Sequence, residues 1–194
     1  MAAFRAIRNK GLAAAGLGET GVDTTLAGNT LLLRGGAGER LDMPLAAITQ
    51  LRAGYEQNRY SGKLYRMSLW TSAAPRPLTL ATVHADEADY AMIARAIGDT
   101  VERTHGPGAI EGGLGWVDAL RYPLWVSIGM IVSTLAAYAD QSGSHRESLL
   151  TTALMMSAIW VPILGMIMWF FFRPYRPRRL ITLSELDQFL PGQD

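Results

Sequence analysis

The sequence predicts an α+β membrane protein: an N-terminal antiparallel β-barrel or sandwich closed by one amphipathic helix, then a two-helix transmembrane hairpin. Charge distribution is the first reason. Residues 1–116 carry 12 Lys/Arg and 11 Asp/Glu, whereas residues 122–139 and 149–172 carry no charged side chain. The second is a change of period: short apolar segments between turn residues fill 24–83, and helical spacing takes over from 84. Composition removes other classes. With no Cys there is no disulfide, thiol nucleophile or thiolate metal site, and 18 basic against 17 acidic residues make no electrostatic case for nucleic acid. Arg outnumbers Lys 16 to 2, and Ala and Gly are abundant, a codon-supply pattern of a bacterial, GC-rich genome.

Residues 1–19 form a basic N-terminal segment without the continuous apolar core of a signal peptide. A β-domain over 20–105 follows. Its strand-like segments include Ile48–Leu51, a stretch in which Leu64, Arg66 and Ser68 alternate with Tyr65, Met67 and Leu69, and Leu78-Thr79-Leu80. Turns fall at Gly28-Asn29, Gly35–Gly38, Tyr60-Ser61-Gly62 and Ala74-Pro75. The helix over 85–104 puts Tyr90, Ile93, Ala94, Ile97 and Val101 on one face, with Asp86, Glu87 and Asp89 in its first turn. Residues 106–116 read as a flexible Gly-rich linker.

A strand-turn series over 20–83 closed by the helix 85–104 resembles the bacterial pleckstrin-homology-like domains, often found in membrane-anchored proteins. The resemblance covers under half of the chain. It implies binding of protein segments or lipid head groups at the barrel's open end and beside the helix. Phosphoinositide-binding relatives place Lys and Arg in the first hairpin loop. Here Gly28-Asn29 and Gly35–Gly38 hold no basic residue, Arg34 and Arg40 only flanking the latter, which argues against specific phosphoinositide recognition.

The expected spans are 117–140 and 149–173, joined by an external loop at 141–148, each near the roughly 20 residues a bilayer crossing needs. Arg173, Arg176, Arg178 and Arg179 follow the second span, against Arg146 in the loop, so the positive-inside rule puts both termini in the cytoplasm. The expected location is therefore the bacterial cytoplasmic (inner) membrane. Trp116, Trp125 and Trp169 fit an interfacial belt, and Gly129, Ser133, Ala137, Ala153 and Ser157 form small-residue strips for helix packing.

Chemistry-bearing candidates are few. The Gly35–Gly38 stretch lacks the Gly-Lys-Ser/Thr ending of a phosphate loop and reads as a hairpin turn. His84, His105 and His145 have no metal-ligand spacing, and no catalytic set emerges. No enzyme, cofactor or metal is expected. Arg52, Arg59, Lys63, Arg66 and Arg76, interleaved with Tyr60 and Trp70, suit a partner protein or anionic lipid; the competing reading is a solvated strand face. In the tail at 174–194, Thr182 and Glu185 make a capping-box pattern ahead of Leu186, Phe189 and Leu190, an apolar stripe that docks on its own domain or on a partner. The expected function is a membrane-anchored scaffold or accessory subunit that docks a protein partner or anionic membrane lipids. The alternative is a homo-oligomeric membrane assembly or pore, with the β-domain as its cytoplasmic ring.

Overall fold

The structure, a computed structural model, describes residues 2–7, 9–17, 21–58, 62–82, 86–141, 160, 162–166, 168–170, 173, 175–180 and 182–192. Two compact units emerge. The first joins Met1–Leu114 to Pro177–Asp194, and the second is Gly115–Arg176.

In the first unit, β1 (Ala3–Ala6), β2 (Val22–Ala27), β3 (Thr30–Gly35) and β4 (Arg40–Pro44) form an antiparallel sheet in chain order. The β2–β3 turn has two residues, and Gly28 takes φ +57°, a left-handed conformation that a β-carbon disfavours. Within the basic N-terminal segment 1–19, the described residues 2–7 and 9–17 belong to this unit. Phe4 of β1 is buried, and helix α1 (Lys10–Ala14) begins at Asn9, whose Oδ1 accepts from the Gly11 and Leu12 N–H groups at 2.9 and 3.0 Å. The Asn9 Nδ2 donates to the Thr79 carbonyl at 2.7 Å, tying α1 to the second sheet.

That second sheet holds β5 (Ile48–Asn58), β6 (Gly62–Thr71), β7 (Ala74–Thr82), β8 (Ile110–Gly112) and β9 (Arg178–Arg179) in the order β7-β6-β5-β8-β9. The alternation along β6 becomes burial: Tyr65, Met67 and Leu69 face inward. Helix α2 (Glu87–His105) lays Tyr90, Ile93, Ala94, Ile97 and Val101 against them, each large side chain contributing about 1.5–3 kcal/mol of burial. Glu87 and Asp89 favour its N-terminal dipole, and Gly106 at φ +82° ends it.

The stretch at 106–116, read as a flexible linker, is partly sheet. β8 pairs parallel with β5, Leu51 opposite Ile110 and Ala53 opposite Gly112, and the Gly113 N–H donates to the Ala53 carbonyl at 2.8 Å. Its glycines serve close approach here: a β-carbon on Gly54 would collide with the Gly113 carbonyl.

The second unit contains α3 (Trp116–Gln141) and helical residues at 160, 162–166 and 168–170. Among the described residues, no helix is long and apolar enough to cross a membrane. The transmembrane hairpin and the multi-pass inner-membrane location expected from sequence are corrected accordingly. In physical terms, Asp118 and Arg121 place charge in the opening turns of α3. What remains is a mixed α+β fold with two sheets.

Candidate functional site

Two of the sheet edges lie beside one groove. β4 ends the first sheet and β7 ends the second. Between them, with α1 alongside, lies a cavity of about 520 Å³ lined by Ala14, Leu41, Met43, Leu69, Pro75 and Pro77 among others. Among the described residues, Arg76 is the one charged residue of this lining, and it is exposed. The far half of β7 is already satisfied, since the Thr79 carbonyl accepts from Asn9 Nδ2 and the Ala81 carbonyl from the Ile7 N–H at 2.8 Å. Its near half carries Pro75 and Pro77, which have no N–H to donate and so discourage pairing along that edge. Among the described strands, β4 is the edge at this groove left able to take a further strand.

On β4, the Arg40 guanidinium meets the Asp42 carboxylate through Nε at 2.8 and 3.0 Å and Nη2 at 2.6 Å. Hydrogen bonding to Arg40 holds the Asp42 carboxyl below the usual carboxylate range, and the Asp42 hydrogen bond raises Arg40 in turn. This exposed pair is self-neutralised, which leaves Arg76 to set the sign of the groove.

The basic-aromatic residues singled out by sequence do not form one cationic surface. Arg52, Arg66 and Trp70 share the face of the second sheet turned from the core, opposite in parity to Leu51, Ala53, Met67 and Leu69. There Arg52 donates to Glu111 Oε2 through Nε at 2.8 Å and Nη2 at 2.5 Å, with its guanidinium 5.0 Å from the Trp70 ring centroid. Arg66 Nη2 lies 3.6 Å from Glu56 Oε2. Lys63 reaches over the Tyr55 ring at 5.4 Å. Arg59 and Tyr60 lie outside the described residues. Arg76 stands apart, at the groove.

The tail residues are core residues of the first unit. Leu186, Phe189 and Leu190 are buried with Ile97, Ile110 and Leu51 in its apolar cluster. Thr182 caps the short helix Leu183–Leu186 by position, but its side chain makes no capping hydrogen bond. Of the residues assigned to a membrane interface, Arg178 and Arg179 form β9, while Arg173, Arg176, Trp116, Trp125 and Trp169 are exposed. Of the packing strips, Gly129 is exposed, with open space where a β-carbon would stand. The side chains of Ser133 and Ala137, and the whole of Ala153 and Ser157, lie outside the described residues, as do His84 and His145. Among the described residues, no cluster of His, Asp and Glu is arranged to hold a metal.

Sequence reading found Arg76 but missed Leu41, Met43 and α1, the rest of the groove. Two prolines inside one strand segment were the available signal, because Pro within a sheet marks an edge. No family model matches the chain, and no curated protein matches it.

Proposed function

We propose that the protein is a binding module that docks a protein partner through the groove between β4 and β7. The groove itself carries the reading. It is an apolar trough beside an open strand edge, with Arg76 the one cation among the described residues of its lining. Strand addition supplies main-chain hydrogen bonds, and the trough supplies selection of alternate side chains. The occupant of matching chemistry is an extended segment with apolar residues spaced two apart and a carboxylate that meets Arg76. A four-stranded meander, a five-stranded sheet that contains the antiparallel run β5–β7, and helix α2 support the resemblance to pleckstrin-homology-like domains, and with it a role in recruiting partners rather than in catalysis.

The experiment is a selection of short synthetic peptides that alternate apolar residues with one carboxylate, followed by amide chemical-shift mapping on the full chain. Binders are expected to shift β4 and residues 74–79, and to lose about tenfold in affinity or more with Arg76→Glu. Binders that shift only the Arg52/Arg66 face, or that are indifferent to Arg76→Glu, overturn the assignment.

A further inference from the structure

The hydrogen-bond parity of β4 fixes what its outer edge offers. At one end of the β3–β4 ladder the Gly35 N–H donates to the Glu39 carbonyl at 2.8 Å, and past the other end the Leu45 N–H donates to the Asn29 carbonyl at 2.9 Å. Both bonds continue the register that sets Leu33 opposite Leu41 and Leu31 opposite Met43. Bonded and non-bonded pairs alternate along an antiparallel ladder. The main-chain groups of Leu41 and Met43 are therefore turned to β3. Those of Arg40 and Asp42 point to the other side, where no neighbour stands among the described strands. Pro44 shares their parity and has no N–H to leave unpaired there.

Side chains follow the same alternation. Leu41 and Met43 pack against the core cluster and line the groove, whereas Arg40 and Asp42 are exposed on the opposite face of the strand. The charged pair has no net sign, but along the edge it has an order. We infer, on the reading that the groove takes an extended segment, that β4 captures this segment antiparallel and in a single register set by Arg40 and Asp42. The segment reads, from N to C, apolar, basic, apolar, acidic, and these residues stand opposite Met43, Asp42, Leu41 and Arg40 in turn. Its basic residue exchanges both main-chain hydrogen bonds with Asp42, and its acidic residue does so with Arg40. On the exposed face each side chain meets the opposite charge, while the two apolar residues turn into the groove beside Leu41 and Met43. A slip of one residue would drive both charges into the apolar trough. Exchanging the two charges would set like against like in the antiparallel arrangement, and only parallel entry would match them. Antiparallel entry continues a sheet whose every pairing is antiparallel.

The test uses the full chain and two synthetic peptides of identical composition. One has the order apolar-Arg-apolar-Asp, the other has Arg and Asp exchanged, and both carry the same flanking carboxylate for Arg76. Binding is followed by amide chemical shifts, amide exchange and a spin label at the peptide N-terminus. The first peptide is expected to bind about fivefold tighter or more, to slow exchange of the Arg40 and Asp42 amides, and to broaden Met43 and Leu45 rather than Gly38 and Glu39. The double variant Arg40→Asp/Asp42→Arg keeps an opposite-charge pair on the exposed face, and it should prefer the second peptide. Equal affinities, or a preference that the double variant does not invert, overturn the register; the groove reading survives that result as long as both peptides shift β4 and residues 74–79. If neither peptide shifts β4, both fall together. A dimer of the free chain whose Arg40 and Asp42 amides already exchange slowly, undisturbed by either peptide, makes a second copy the occupant and also overturns the inference.

Discussion

Leu186→Ala is the substitution whose cost the structure constrains most directly. Leu186 is 0% exposed and belongs to the apolar cluster of the first unit. Truncation removes three carbons, and at about 0.8 kcal/mol each the transfer loss is near 2.4 kcal/mol. A residual cavity adds to this, but the site is floored by Gly98 and the tail is short, so some collapse is available. The expected cost is therefore about 3 kcal/mol, in the lower half of the range for buried Leu→Ala changes. For a unit of this size that is a fall of about 10 °C in melting temperature. The assay is thermal and urea unfolding, read by circular dichroism and by amide exchange in β5 and β6, with half-buried Leu183→Ala as the milder comparison. A loss below about 1 kcal/mol, or exchange in β5 and β6 that does not change, would refute the view that the tail is part of the unit's cooperative core.

Three further outcomes are expected. Gly54→Ala should drive β8 away from β5 through its clash with the Gly113 carbonyl, seen as faster amide exchange at Gly113 with β6 and β7 little affected. Tyr90 is wholly buried and its hydroxyl has no hydrogen-bond partner among the described residues, so Tyr90→Phe should leave stability unchanged or raise it by up to about 1–2 kcal/mol in a urea melt. Burial also pushes the Tyr90 phenol upward. The folded state thus keeps this proton to higher pH than the unfolded chain, and stability that is complete below the ordinary tyrosine range near about 10 falls as pH rises through it. Tyr90→Phe should blunt that alkaline loss, which paired melts on either side of the range would detect. Finally, Glu111→Gln keeps the shape of the Arg52 contact but removes the charge; with both side chains mostly shielded from solvent, a loss of about 1–2 kcal/mol is expected in denaturant titration.

What the sequence made legible was whatever repeats locally. The alternation of Tyr65, Met67 and Leu69 and the stripe through Tyr90, Ile93, Ile97 and Val101 are short-range periods, and both are seen as burial. What it hid was contact at long separation. Glu111, the partner of Arg52, lies 59 residues away, and no local pattern announces that two cationic candidates are spent on internal pairs. β8 is three residues within a glycine-rich run, so its parallel pairing has neither length nor period to reveal it. The apolar runs after residue 120 misled for a related reason: hydropathy counts side chains along a line, whereas among the described residues no helix is both long and apolar enough to cross a membrane. The tail's stripe was visible, but whether it would meet its own domain depended on Gly98 and Gly112, whose significance lies in what they leave empty.

The discontinuity of the first unit also orders events during synthesis. By the time residue 114 has left the ribosome, both sheets except β9 and all of α2 have been made, yet the apolar faces of Leu51, Ile97 and Ile110 against which the tail packs are still uncovered. They stay so while the second unit is translated, at roughly 5–20 residues per second, a delay of several seconds. During that interval the nascent domain displays a sticky strip and an unpaired strand edge, both of which chaperones and proteases recognise. A message cut short anywhere in the second unit would release a chain fixed in this state. Burial of Leu186, Phe189 and Leu190 thus closes the first unit only once translation has passed residue 190.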